Sequence, residues 1–596
     1  MRRIIICFLL YVAELAFSAA SVEQEVMSAD ELRQHILEKR SAPLTCLNVK
    51  ATLNVRDFGA VPNDGKDDRP AIASAVLKAR RMEGPVQISF ESGCYDIQPA
   101  TDDYIYSDHT NSGVFLRDCR DMVIEGNGAH MLIHRQDVSV FAAVHSTNII
   151  IRNFTADYDP LPFSQGTVCS INEANNSFVF ELQSGFPRPD DAFFKSCDSW
   201  GMLKDTEHPG RLKADCPSVF FFDEMTPVER NKYRIVLKNP GRTSYFTKGD
   251  VFAITGRSAS IGWYNDSDNI TFNNITAYAC PSPVFIGTET SRLNVLNCRM
   301  KLIGKRLMTN GGGGVICQAS RIGPWVENCE FEGLSDDCLN IYGLPIYILE
   351  QISPVKMRVY AKAAIQPGDR LAFFNPNEGN VIQETTVVSF SKNILVLKDP
   401  VGKLNTVPPG AKRTKVNPRE WKIYDHAYNL NAVGNYYVYR NNTMHDGRRY
   451  GVLLRASYGL IENNRFEGLS RTGMQISNEP EWPEGFWTRN LIVRGNRVSE
   501  CGYGHGDPSI QIKSLKLHGV MDAPIQKNIF LIDNEFHAVS GPAAVFDGVD
   551  GLTVNGNVFD SGSAFGSLVV GENVKLRSLE DNTGDSRFEF KHSISR

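Results

Sequence analysis

The chain has 596 residues, with 63 Lys plus Arg against 68 Asp plus Glu and a formal net charge of −5. Its hydrophobic fraction of 42% is ordinary for a globular protein and leaves ample material for a core. The near balance of charge, without a long basic run, gives none of the usual signatures of a nucleic-acid or anionic-membrane partner.

Arg2 and Arg3 precede an apolar run from Ile4 to about Ala20 that ends in Ser18-Ala19-Ala20. That is the pattern of a secretory signal peptide cleaved near Ser21, so residues 1–20 are read as a signal and the protein as exported, to a periplasm or the cell exterior. No later segment approaches the roughly 20 apolar residues that span a bilayer. Of 13 cysteines, Cys7 lies in the signal; the other 12 form neither a compact framework nor a paired CxxC site, and most are read as free, packed thiols.

Residues 21–51 form an N-terminal segment with a short helical pattern around Ser28 to Glu38. Residues 52–164 open a new unit: Asn54–Ala60 reads as a strand and Asn63–Asp68 as a turn leading into a helix. Asp67 or Asp68 can cap that helix, Pro70 suits its first turn, and Ile72, Ala75, Val76 and Ala79 share one apolar face. The unit resembles the N-terminal cap of the pectate-lyase-like β-helix superfamily, and the twin aspartates 67 and 68 are read as capping groups rather than catalysts.

From about residue 113 short apolar strands repeatedly lead into an Asn turn: Val123–Asn127, Ile150–Asn153, Ile270–Asn274, Leu293–Asn297, Val326–Asn328, Ile461–Asn464, Leu491–Asn496, Ile532–Asn534 and Leu552–Asn557. Close pairs lie 22 to 26 residues apart, the length of one coil of a parallel β-helix. Asn suits the turn because it tolerates left-handed backbone geometry and can stack into hydrogen-bonded ladders. The reading is all-β: a right-handed parallel β-helix with a short N-terminal capping helix. Residues 165–260 and 344–425 break the period with hairpin-like strands and are read as two small inserted antiparallel β-barrels that wall a groove. Residues 261–343 then carry the coils with the active site, and 426–596 the C-terminal coils.

The segment Val326–Gly343 holds Asp336-Asp337. Adjacent residues on a flat strand point to opposite faces, so the pair can serve one site only at a bend, which Gly333 and Ser335 permit. Two neighbouring carboxylates raise one proton affinity and supply an acid and a base near neutral pH.

These residues resemble glycoside hydrolase family 110, the inverting α-1,3-galactosidases. The resemblance spans most of the mature chain: the cap, the coils, both insertions, the Glu332-Gly333…Asp336-Asp337…Asn340…Gly343 segment, Arg449–Leu454, Ile461–Asn464, Gly473-Met474 and the acidic loop Glu479–Trp487. It implies that Asp336 and Asp337 are catalytic. The family has a third catalytic-site aspartate, with a His three residues on, one coil earlier; Gly313 and Ile316 stand at those positions. The tetraglycine Gly311–Gly314 is expected to open space against a sugar. Arg449, Glu481, Trp482, Asn340, His445 and Asp446 are the candidate substrate-binding residues, with Trp482 and Trp487 expected to stack on a sugar face.

No cofactor and no metal-ligand set is expected. The leading reading is an exo-acting glycoside hydrolase that removes a terminal α-linked galactose or related sugar with inversion from an oligosaccharide or polysaccharide. A polysaccharide lyase, with Arg448-Arg449 neutralising a uronate, and a non-catalytic glycan-binding β-helix are the alternatives.

Overall fold

The computed structural model describes residues 27–99, 112–411, 419–562, 567–584 and 591–592; the expected signal over residues 1–20 lies outside them. The described chain winds into a parallel β-helix. Residues of one coil pair in register with the next, as in Val315↔Leu339↔Val452↔Met474↔Ile510. Among the described residues one face of the helix is a 12-stranded parallel sheet that includes Val315–Gln318, Leu339–Tyr342 and Val452–Leu454.

The C-terminal Asn turns are built from doublets with divided labour. The first residue is left-handed: Asn441 (φ 57), Asn463 (φ 54), Gly495 (φ 65), Asp533 (φ 55), Gly556 (φ 68) and Asp581 (φ 55). The second is the buried rung of a ladder. Asn442, Asn464, Asn496 and Asn534 each give an amide N–H to the next asparagine's side-chain oxygen at 2.9 Å. That oxygen also accepts a backbone N–H from the preceding rung at 2.9–3.0 Å. The corners from Asn442 to Asn557 thereby pair their buried amides with one another.

Two closed six-stranded antiparallel barrels interrupt the winding, one from Phe163–Asn172 through Val251–Thr255 and one from Pro345–Ser353 through His426–Asn429. The coils close up across them: Ile151 pairs directly with Phe272 and Val326 with Tyr439.

Two helices cover exposed sheet. Helix α1, Ala29–Arg40, opens with a capping box between Ser28 and Glu31 and sets Leu32 and Ile36 against Leu296, Trp325, Leu460 and Ile492. Helix α2, Arg69–Ala79, buries Ile72, Ala75, Val76 and Ala79 in the main core. Asp68 stands at its N-cap position but makes no side-chain cap; its carboxylate accepts from the backbone N–H groups of Val61 and Asp96, both at 3.0 Å. Asp67 accepts from Arg69 N at 3.2 Å instead. The 12 described cysteines are free, and Cys119, Cys216, Cys280, Cys298, Cys317, Cys329, Cys338 and Cys501 are buried.

Candidate active site

Asp336 and Asp337 lie at the bend between strands Glu330–Glu332 and Leu339–Tyr342, where Gly333 takes φ 67. Neighbouring coils pin the bend. Ser335 N donates to the Asn310 side chain (3.0 Å), Gly314 N to the Asp337 carbonyl (3.0 Å) and Cys338 N to the Tyr450 carbonyl (2.9 Å). Both carboxylates consequently meet one guanidinium. Arg449 sets Nη1 3.4 Å from Asp336 Oδ1 and Nε 3.4 Å from Asp337 Oδ1. Arg449 itself holds a left-handed backbone (φ 67), which costs a non-glycine residue about 1–2 kcal/mol and is tolerated where surroundings over-determine it.

Two further arginines reach Asp336. Arg257, just past the last strand of the first barrel, donates to Asp336 Oδ2 and to the Gly311 carbonyl (2.7 Å). Arg448 donates to the Ser335 carbonyl (2.6 Å) with Nη1 3.7 Å from Asp336 Oδ1. Trp200, also from the first barrel, lies under both guanidiniums at 5.2 and 5.6 Å.

The two acids are split by these surroundings. Burial would raise Asp336, but the charges of Arg257, Arg449 and Arg448 overcome it and hold the carboxyl well below its usual range. Burial pushes Asp337 up to about 6; Arg449 opposes this, while negative charge on Asp336 and Glu479 adds to it. Asn340 donates to Asp337 Oδ2 at 3.2 Å.

Behind Asp337 lies a second charged group. The fully buried Arg455 donates to Glu484 (3.1 Å) and Glu479 (3.5 Å) and stacks over Tyr342. Burial pushes Glu484 up to about 7, against Arg455 and a 2.6 Å hydrogen bond from Trp482 Nε1.

The structure thus gathers Asp336, Asp337, Asn340 and Arg449, with Trp482 joined to them through Glu484. Glu481 is engaged elsewhere, paired with Lys422 and 3.7 Å from His518. The loop acids beside Asp337 are Glu479, whose charge raises Asp337, and Glu484, which Asp337 raises in turn; a bridge between the two glutamates folds the loop back on itself. His445 and Asp446 hold a barrel in place: His445 pairs with Asp446 (2.8 Å), and Asp446 with Arg211 of the first barrel (2.5 Å). Trp487 is buried with Phe374, Tyr428 and Phe486 against the second barrel, so it offers no sugar platform.

The tetraglycine also departs from expectation. Gly311–Gly314 are all buried, and a Cβ on each would sit 2.4–2.6 Å from a backbone atom of a neighbouring segment. At Gly313 that atom is the Asp337 carbonyl oxygen, 2.5 Å away. The glycines are there for close packing of coils and leave no room for a sugar. Gly313→Asp is therefore expected to destabilise the fold by about 1–3 kcal/mol and to lower activity rather than raise it; thermal melting and turnover of the variant check both.

Arg257 and Trp200 escaped the sequence reading because a hairpin-rich insertion carries no periodic signal for which side chain leaves it towards a coil. Among the described residues no three or more His, Cys, Asp or Glu side chains group as a metal site requires. A groove of about 540 Å³ is lined by His145, Asp268, Arg292 and Arg321 instead, away from the aspartates.

Residues 429–583 match the right-handed β-helix region family. The chain is 20% identical to an α-1,3-galactosidase A of Bacteroides fragilis, over 85% of this chain and 87% of that one. It is 23% identical to an α-1,3-galactosidase B of Bacteroides thetaiotaomicron, over 87% and 88%. A solved exopolygalacturonase of Thermotoga maritima aligns over 94% of this chain and 97% of its own, with 10% identity and a TM-score of 0.42. The resemblance to α-1,3-galactosidases drawn from the sequence thus extends over most of the chain.

Proposed function

We propose that this protein is an exported glycoside hydrolase that removes a terminal α-linked galactose or related sugar with inversion, using Asp337 as acid and Asp336 as base. The observation that carries the reading is the split between two adjacent carboxyls, one held ionised by three guanidiniums and one kept near a pKa of about 6 by burial. The kinship with proteins named α-1,3-galactosidase supplies the sugar class.

In this mechanism Asp337 gives its proton to the glycosidic oxygen as the C–O bond breaks. Asp336 orients a water on the opposite face of the sugar ring and takes its proton as the new C–O bond forms. Asn340, bonded to Asp337 Oδ2, fixes which oxygen faces the leaving group. Glu479 helps to hold the proton on Asp337 by its negative charge. Side-chain exposures of 17% for Asp336 and 6% for Asp337 suit a pocket that takes a chain end. Two carboxyls supply both proton transfers, so the family aspartate replaced by Gly313 is not required for them.

The pH profile follows from the signs. The acid must be protonated, so kcat/KM is expected to fall about tenfold per pH unit above about 6, where Asp337 ionises. On the acid side it is retained until Asp336 takes a proton, well below the usual carboxylate range. Initial rates of reducing-sugar release across pH 3–9 test this; a rate that climbs through neutrality would exclude Asp337 as the acid.

A further inference from the structure

We infer that the sugar bound beside Asp336 carries an anionic substituent, a carboxylate or a sulfate ester, that is gripped by Arg257 and Arg449. The inference rests on the placement of the active site at Asp336 and Asp337. Three guanidiniums converge on Asp336: Arg257, Arg449 at 3.4 Å and Arg448 at 3.7 Å. A single carboxylate cannot neutralise three cations. With Asp337 protonated the excess is two positive charges, and no other carboxylate pairs with these arginines among the described residues. The acids behind Asp337 are already taken by Arg455.

Geometry directs that excess into the groove. The Arg257 and Arg449 side chains are 42% and 31% exposed, whereas Arg448 is buried and fixed on the Ser335 carbonyl. The rings of Trp200 and Tyr450 back Arg257 and Arg449, and Arg257 spends Nε on the Gly311 carbonyl and Nη2 on Asp336, so a further acceptor would meet its Nη1. A planar or tetrahedral oxyanion is the group that paired guanidiniums accommodate best. A neutral hydroxyl would leave the positive excess uncompensated in a partly desolvated site.

The test is binding, which reads the subsite whether or not a bond is cleaved. Saturation-transfer NMR and calorimetry would compare galactose, galacturonate and galactose sulfates on the whole protein. At least one anionic sugar is expected to bind about tenfold or more tightly than galactose, with the gap shrinking in high salt. Preference for galacturonate identifies a carboxylate and preference for a sulfated galactose a sulfate ester. Arg257→Gln is expected to erase the preference for the anionic sugar, and a near-normal melt shows that the variant folds. Equal or tighter binding of galactose than of every anion would overturn the inference. That outcome would leave the hydrolase reading intact, since hydrolysis of a neutral galactoside is measured separately.

Discussion

Asp337→Asn is expected to lose turnover by about 100- to 10,000-fold while keeping its fold and, above pH 6, gaining stability. The loss follows because an amide of nearly the same shape cannot give up a proton to a leaving oxygen. The gain follows from linkage. Asp337 has a raised folded pKa, so its favourable contribution is fully present below the unfolded value of about 4 and is lost as pH rises through about 6. Above that point the wild type carries a disfavoured buried charge next to Asp336, and the amide removes it. The difference is on the order of 1–3 kcal/mol, read as a higher melting temperature at pH 7.5 and none at pH 4. Asp336 has the opposite sign, its depressed pKa contributing stability that is lost only as strong acid protonates it. A variant that melted lower at neutral pH and kept its turnover would remove Asp337 from the chemistry.

Asn496→Val is expected to destabilise the protein by roughly 3–5 kcal/mol with unchanged turnover per folded molecule. The Asn496 side-chain oxygen accepts two hydrogen bonds from Asn464, from its backbone N and its Nδ2, each at 2.9 Å. Its Nδ2 donates to the Ile461 carbonyl and the Asn534 side chain, also at 2.9 Å. Valine is close in size but leaves the Asn464 backbone N–H and one of its amide N–H groups unpaired and takes the amide donor from the Ile461 carbonyl, each loss worth about 1–3 kcal/mol. Chemical denaturation of the variant measures the loss. A change below about 1 kcal/mol would mean that the ladder is not what secures the corners.

That ladder shows why the fold was legible. Each turn needs a residue that tolerates positive φ, so single asparagines such as Asn153, Asn274, Asn297 and Asn328 mark the earlier coils, and doublets such as Asn463-Asn464, whose second residue both donates and accepts sideways, mark the C-terminal ones. The insertions were visible as the places where the Asn turns stop. Asp336-Asp337 stood out in the sequence because Gly333 and Ser335 permit a bend, and the structure sets both carboxyls on one guanidinium at that bend. Their setting did not stand out. Arg257 reaches Asp336 from the first barrel, Glu479 acts on Asp337 through a loop folded back on itself, and Asp446, paired with His445, is drawn to Arg211. None of these pairings has a sequence period, because a long connection can return to the coil at any rung. Gly313 misled for the same reason: as a letter it signals space, whereas here the Asp337 carbonyl fills it.

The most direct test of the central claim is proton NMR of α-1,3-linked galactosides incubated with the protein, beside a panel of other glycans and an Asp337→Asn control. The account predicts that the released sugar first appears as its β-anomer, from the wild type alone. Release as the α-anomer, an unsaturated product, or equal release by the Asp337→Asn protein would contradict it.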